Sequence, residues 1–219
     1  MGATIAVTRE RRADEARVAA TADTVKKLVG MGFSVVVEAG AGLTASIPDT
    51  EFEAAGAKIA KTLKATLGGA DLVLKVRAPS DEEIAALKAG AVVVALLNPY
   101  GERAAVDALA AKGATAFAME FVPRITRAQV MDALSSQANL AGYRAVIEAA
   151  EVYGRALPMM MTAAGTVAPA KTFVMGAGVA GLQAIATARR LGAVVTATDV
   201  RPATSAACLA WYSELISLA

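Results

Sequence analysis

The segment Lys171–Arg201, KTFVMGAGVAGLQAIATARRLGAVVTATDVR, constrains the chain more than any other part of it. A short apolar strand over Thr172–Met175 runs into Gly176, Ala177, Gly178, Val179, Ala180 and Gly181. The spacing then predicts an amphipathic helix to about Leu191 and a second strand, Val194–Thr198, ending at Asp199. Glycines alone say little, because any tight turn between strand and helix uses them. Strand, glycines, helix, strand and terminal acid in that order form the dinucleotide-binding fingerprint. Gly176 allows the tight turn, Gly178 lets a pyrophosphate approach the backbone, and Gly181 lets the helix pack on the strand. The helix N-terminus adds free N–H groups and a partial positive charge. Asp199 follows Gly176 by about the 20 residues expected of a carboxylate that accepts hydrogen bonds from an adenosine ribose.

That carboxylate also discriminates. Holding two ribose hydroxyls, it repels a 2′-phosphate, so NAD(H) is favoured over NADP(H). Val200 and Arg201 complete the candidate cofactor-binding set. Arg201 is open to two readings, a phosphate contact or a solvated residue at a strand end.

The most informative count in the 219 residues is zero: the chain has no histidine. The commonest acid–base residue and the commonest zinc ligand are therefore missing, and no metal site is expected. A single cysteine, Cys208, excludes an internal disulfide and fits a reducing compartment. A net charge of +2, spread along the chain, leaves no nucleic-acid footprint. Thr172–Ala188 is uncharged but interrupted by glycines, and reads as strand–turn–helix rather than as a membrane span. Arg9, Arg11 and Arg12 are mixed with acids and no apolar run follows them, so no signal peptide is expected.

Upstream, strands are expected at Thr4–Val7, Ser34–Glu38, Ala57–Ala60, Asp71–Val76, Ala91–Leu97 and Ala114–Met119. Helices are expected to end near Gly30, to start at Ser46 (as N-cap, with Asp49 three residues on), to follow the cap at Ser80, and to span Glu102–Lys112. This alternation predicts an α/β chain with a doubly wound parallel sheet in residues 1–136. A long helix from about Gln137 and a loop, LPMMMTAAGTVAP, would connect it over 137–170 to a second doubly wound domain, an incomplete Rossmann unit at 171–219. The methionines of that loop are read as gap fillers against the sheet. On spacing alone the stretch Arg124–Ser135 is equally an ordinary charged entry to a helix.

Several segments are familiar: VTRERRADEARVAATADTV, DLVLKVRAP, PRITRAQVMDALSSQANLAGYRAVIEAA, LPMMMTAAGT and FVMGAGVAGLQAIATARRLGAVVTATDVR. Together they resemble the NAD(H)-binding component of the proton-translocating NAD(P) transhydrogenases, relatives of the alanine dehydrogenases. The resemblance runs from Thr4 to about Thr204, and the loop after Pro123 is its most specific stretch. It implies that Arg124, Gln129, Asp132 and Ser135 contact the nicotinamide and line the hydride-transfer site. Their chemistry is compatible, since an Arg and an amide suit the carboxamide while Asp and Ser can fix ring orientation. Arg17 and Lys75 stand where the alanine dehydrogenases bind a keto-acid. Read on their own they are a solvated Arg and a strand-end Lys.

The resemblance implies that hydride passes from NADH on this chain to NADP(H) held by a partner domain, coupled to proton movement through membrane-spanning subunits. It further implies a homodimer in the cytoplasm, peripheral to the inner membrane through those subunits, with little activity in the isolated chain. An alanine-type dehydrogenase is the alternative, and the missing histidine weighs against it. Oxidising an amine needs a group to move a proton, whereas transfer between two nicotinamide C4 atoms does not. Near Leu96–Pro99, where the alanine dehydrogenases carry a catalytic histidine, this chain has Asn98. A third reading is a non-catalytic, truncated dinucleotide-binding fragment. After Thr204 the sequence is expected to leave the family, with Leu209, Trp211, Tyr212, Leu215, Ile216 and Leu218 at helical spacing.

Overall fold

Alternate residues of the first strand, β1 (Thr4–Val7), serve different cores: Ala6 joins one buried cluster and Val7 another. That division follows from the side-chain period of two in a sheet covered on both faces. The computed structural model describes residues 2–201, and the chain divides into two units between Met131 and Asp132.

In the first unit β1 is followed by α1 (Ala22–Gly30), β2 (Ser34–Glu38), α2 (Asp49–Ala54), β3 (Lys58–Ala60), α3 (Leu63–Leu67), β4 (Leu72–Arg77), α4 (Asp81–Ala86), β5 (Val92–Leu96), α5 (Arg103–Ala111) and β6 (Thr115–Ala118). The strands form one six-stranded sheet in the order β3-β2-β1-β4-β5-β6, with every pair parallel. One face buries Val25, Val35, Val37 and Phe52, the other Leu67, Ile84, Val93 and Leu109. Each such side chain contributes roughly 1.5–3 kcal/mol on burial. The order reverses between β1 and β4, which places a crevice beyond their carboxyl ends.

Capping sets the helix starts. Thr21 and Thr62 accept N–H bonds at α1 and α3, and Ser80 forms a complete capping box with Glu83 at α4. Ser46 does not cap. It ends a 3-10 turn (Leu43–Ala45) with φ of 61°, and α2 begins only after Pro48. The proline disfavours helical backbone at Ile47, so the helix cannot start before it. Asp49 instead receives the Gly40 N–H at 2.9 Å. The short α3 was not expected from the sequence.

The second unit opens with α6 (Ala133–Tyr153), capped by Asp132 and ended by Gly154 in the left-handed region. The loop expected after it contains an antiparallel hairpin, β7 (Met160–Thr162) with β8 (Gly165–Val167). Met159, Met160 and Met161 are exposed there rather than filling gaps against a sheet. A turn at Ala163 and Ala164, followed by Gly165 with φ of 123°, folds β7 back on β8. Then come β9 (Lys171–Met175), α7 (Val179–Arg190) and β10 (Val194–Thr198), with β9 and β10 paired in parallel. Helix α6 packs on α7 at Gly142, where a Cβ would stand 2.1 Å from the Ala180 carbonyl oxygen. The core here is small: Val146, Ala170, Ala188 and Ala193. Among the described residues no helix is long and apolar enough to cross a membrane. Cys208 and the apolar spacing after Thr204 lie outside the described residues.

Candidate functional site

The turn between β9 and α7 has the local geometry its glycines suggest. Gly176 has φ of 99°, a conformation that side chains rarely adopt. A Cβ on Gly181 would lie 1.8 Å from the Gly176 carbonyl oxygen, so only glycine lets the helix start this close to the strand. Gly178, the N-cap of α7, faces open space except for Arg201, whose Nη2 would be 3.8 Å from an added Cβ. Arg201 is thus the one side chain beside the middle glycine among the described residues. The N–H groups of Val179, Ala180 and Gly181 in the first helical turn have no acceptor four residues back. Free N–H groups at the positive end of a helix are suited to an anion.

Asp199 closes the site from the end of β10. Its Oδ2 accepts the Ala177 N–H at 2.7 Å, and its Oδ1 accepts the Arg201 N–H at 2.8 Å. The Arg201 side chain donates Nε to Oδ1 and Nη2 to Oδ2, both at 3.0 Å. These bonds hold the Asp199 carboxyl well below the usual carboxylate range, the Arg201 side chain having the largest effect, then the N–H of Ala177 and that of Arg201. The group is a carboxylate at any physiological pH.

Of the residues that the family resemblance implicates, Asp132 and Ser135 come together. Asp132 Oδ1 accepts the Ser135 N–H at 2.9 Å and Oδ2 accepts the Ser135 hydroxyl at 2.6 Å, which fixes the start of α6. Arg124 and Gln129 belong to the exposed last segment of the first unit, Gln129 inside a 3-10 stretch, Thr126–Met131. Among the described residues neither side chain has a hydrogen-bond partner. Both side chains are free to meet a ligand. Asn98, in place of a histidine, sits in the left-handed region (φ of 47°) in the turn after β5, with its N–H donated to Glu120 at 2.6 Å.

The crevice between β1 and β4 is where residue-by-residue reading fell short. Lys75 is not at a solvated strand end: it lies within β4, 6% exposed. Its Nζ is 2.9 Å from Glu83 Oε1, 3.4 Å from Glu10 Oε2 and 3.2 Å from Thr8 Oγ1. Arg11 bridges Glu38 at 2.7 Å and Glu83 at 3.0 Å. Arg17 is paired with Glu15 at 2.6 Å, and that contact holds the Glu15 carboxyl below its ordinary value. A cleft of about 660 Å³ lined by Arg11, Lys75, Ser80, Glu83 and Glu102 opens here, with its charges largely matched from within. The sequence did hold the signal. A lysine inside the apolar run LVLKV demands a buried partner, and Glu83 is placed to be one by its capping box.

Comparison with known proteins places these features in one family. The description "Alanine dehydrogenase/PNT, N-terminal domain" matches residues 6–141, and its C-terminal counterpart matches 145–216, past Thr204, where the resemblance is expected to stop. The chain is 58% identical over 205 residues to an NAD(P) transhydrogenase alpha subunit of Rhodospirillum rubrum, covering 91% of this chain and 53% of the relative. It superposes on the crystal structure of transhydrogenase from Sinorhizobium meliloti with a TM-score of 0.88 at 63% identity, covering 92% of this chain and 57% of that one. The alanine dehydrogenase of Halomonas elongata is more distant, 35% identical over 198 residues, 89% of this chain and 53% of the relative. The chain thus spans about half the length of the curated relatives it matches. On these matches the chain belongs to the alanine dehydrogenase/PNT family, and its near relatives are NAD(P) transhydrogenase alpha subunits.

Proposed function

We propose that this chain is the NAD(H)-binding portion of a proton-translocating transhydrogenase. It holds NADH while hydride passes to NADP on a partner domain, and membrane-spanning subunits couple the transfer to proton movement. The observation that carries this reading is the docking of Asp199 on the glycine turn through the Ala177 N–H. One anion site and one diol acceptor are thereby set side by side, which suits an adenosine diphosphate moiety without a 2′-phosphate. When bound, the nicotinamide ring supplies the hydride chemistry. The chain's own residues bind, orient and exclude water, with Arg124 and Gln129 toward the carboxamide and Asp132 with Ser135 holding the entry to α6 in register.

An alanine-type dehydrogenase is less well supported. Such an enzyme needs cationic side chains for a keto-acid and a proton carrier. Here Lys75 and Arg17 are engaged by Glu83, Glu10 and Glu15, and Asn98 has no titratable proton.

Partners follow from the same reading: an NADP-binding subunit, a membrane-spanning subunit and a second copy of this component, at the cytoplasmic face of the inner membrane. Taken alone, the described chain should bind NADH weakly, since its second sheet has two strands and a small core. The test is reconstitution with NADP-binding and membrane subunits in sealed vesicles. NADH-dependent reduction of an NADP analogue accompanied by vesicle acidification or alkalinisation supports the proposal. Alanine-dependent reduction of NAD by the same preparation would instead favour the dehydrogenase.

A further inference from the structure

The Asp199 carboxylate is saturated by the chain itself. A carboxylate offers about four in-plane acceptor positions, two on each oxygen. Backbone N–H groups take one on each: Ala177 on Oδ2 and Arg201 on Oδ1. The Arg201 side chain takes the remaining pair, Nε on Oδ1 and Nη2 on Oδ2. Its guanidinium thus presents two parallel donors, one to each oxygen, the same pattern that the vicinal 2′- and 3′-hydroxyls of a ribose would present. The same group overhangs the turn, since Nη2 lies 3.8 Å from the Cβ position of Gly178. The Asp199 side chain keeps only 8% of its surface exposed, while Arg201 keeps 62%.

We propose that Arg201 is an internal stand-in for the ribose diol, a specificity-determining residue that the adenosine half of the cofactor must displace from Asp199 in order to bind. The proposal rests on the reading of Asp199 as the ribose carboxylate and adds a competitor to it. Two consequences follow from the geometry. A ligand without both hydroxyls leaves the guanidinium in place on Asp199 and gains nothing there, so Arg201 competes only with ligands that carry the diol. A ligand with the free diol exchanges two donors for two, and releases a guanidinium beside the glycine turn, close to where phosphates would lie. The exposed, solvent-screened pair is weak enough to be opened by a ligand and oriented enough to discriminate.

The test compares the affinities of ADP and 2′,3′-dideoxy-ADP, by NMR or calorimetric titration of the 219-residue chain and its variants. Phosphate attraction is common to both probes and cancels in their ratio, which isolates the diol. Arg201→Gln should raise the ADP to dideoxy-ADP affinity ratio by about fivefold, and Arg201→Lys, a single point donor, by less. An unchanged or lower ratio in Arg201→Gln overturns the proposal, as does an absence of ADP binding by that variant, whose carboxylate and turn are uncovered. Asp199→Asn separates the two layers of the argument. If it brings the ratio close to one, the ribose reading holds whatever Arg201 does; if the ratio persists in Asp199→Asn, the ribose reading itself fails.

Discussion

The Ala177 N–H donates to Asp199 Oδ2 at 2.7 Å, which ties the second residue of the glycine turn to the end of the neighbouring strand. Residues far apart in sequence thereby form one rigid recognition element. On the proposed reading its backbone half receives phosphate and its carboxylate half receives a ribose.

Cofactor choice follows from that element. Any binding should favour NADH over NADPH, because a 2′-phosphate would face the Asp199 carboxylate. Replacing Asp199 with Ala should narrow the preference by about tenfold. Calorimetry on wild type and variant checks this, and equal or tighter binding of NADPH by the wild type contradicts it.

The pair Lys75–Glu83 should govern the stability of the first unit. Both side chains are 2% exposed at 2.9 Å, so removing one leaves the other's buried charge to a single remaining charged neighbour among the described residues, Arg11 for Glu83 or Glu10 for Lys75. Lys75→Met should cost about 3–5 kcal/mol in urea unfolding, and the double variant Lys75→Met, Glu83→Gln should cost less than the sum of the singles. Additive losses would show that the two residues do not act as a pair.

Glu15 should give the first unit an acid limb. Its carboxyl is lowered mainly by the Arg17 side-chain bond, against an opposing effect of burial. A lowered folded-state value means that the unfolded chain binds more protons. The stability contributed is therefore complete above the unfolded value, near 4.3, and is lost as pH falls through the folded one. Because Arg17 is 40% exposed, solvent screens the pair and the loss should stay within about 1 kcal/mol. Glu15→Gln should flatten unfolding free energy against pH between about pH 5 and pH 3. An unaltered acid limb would assign it to other carboxylates.

Much of the first unit was legible because period-two apolar runs and Ser or Thr caps are local signals. The strands Thr4–Val7 and Ser34–Glu38 have the limits that their patterns predict. What escaped depends on partners distant in sequence or on competition between neighbours. Ser46 looked like a cap, but Pro48 decides where α2 begins. Met159–Met161 looked like gap fillers against a sheet, but they are exposed, Met160 and Met161 in a hairpin strand that turns at Ala163 and Ala164. At the glycine turn, the geometry of Gly176 and Gly181 was readable because each meets a backbone requirement close by. The cover that Arg201 lays over Asp199 was not readable, since spacing does not say which way a long side chain turns. The Glu10–Lys75–Glu83 cluster was half readable, with the lysine anomalous in its strand and its acids unassigned.

Arg124 and Gln129 should matter for chemistry more than for affinity. Both side chains are exposed and without partners among the described residues, and orientation acts mainly on the reacting step. In a full-length relative, Arg124→Ala or Gln129→Ala should slow single-turnover hydride transfer by about tenfold or more while NADH affinity changes far less. Equal single-turnover rates would leave the segment as an ordinary entry to α6.

The most direct test of the account follows the hydride itself. NADH carrying deuterium at the transferable C4 position is incubated with the full-length component, an NADP-binding partner domain and NADP. The account predicts that deuterium appears at C4 of NADPH without dilution by solvent hydrogen, and only when the partner is present. Label lost to water, or transferred with no partner present, would contradict it.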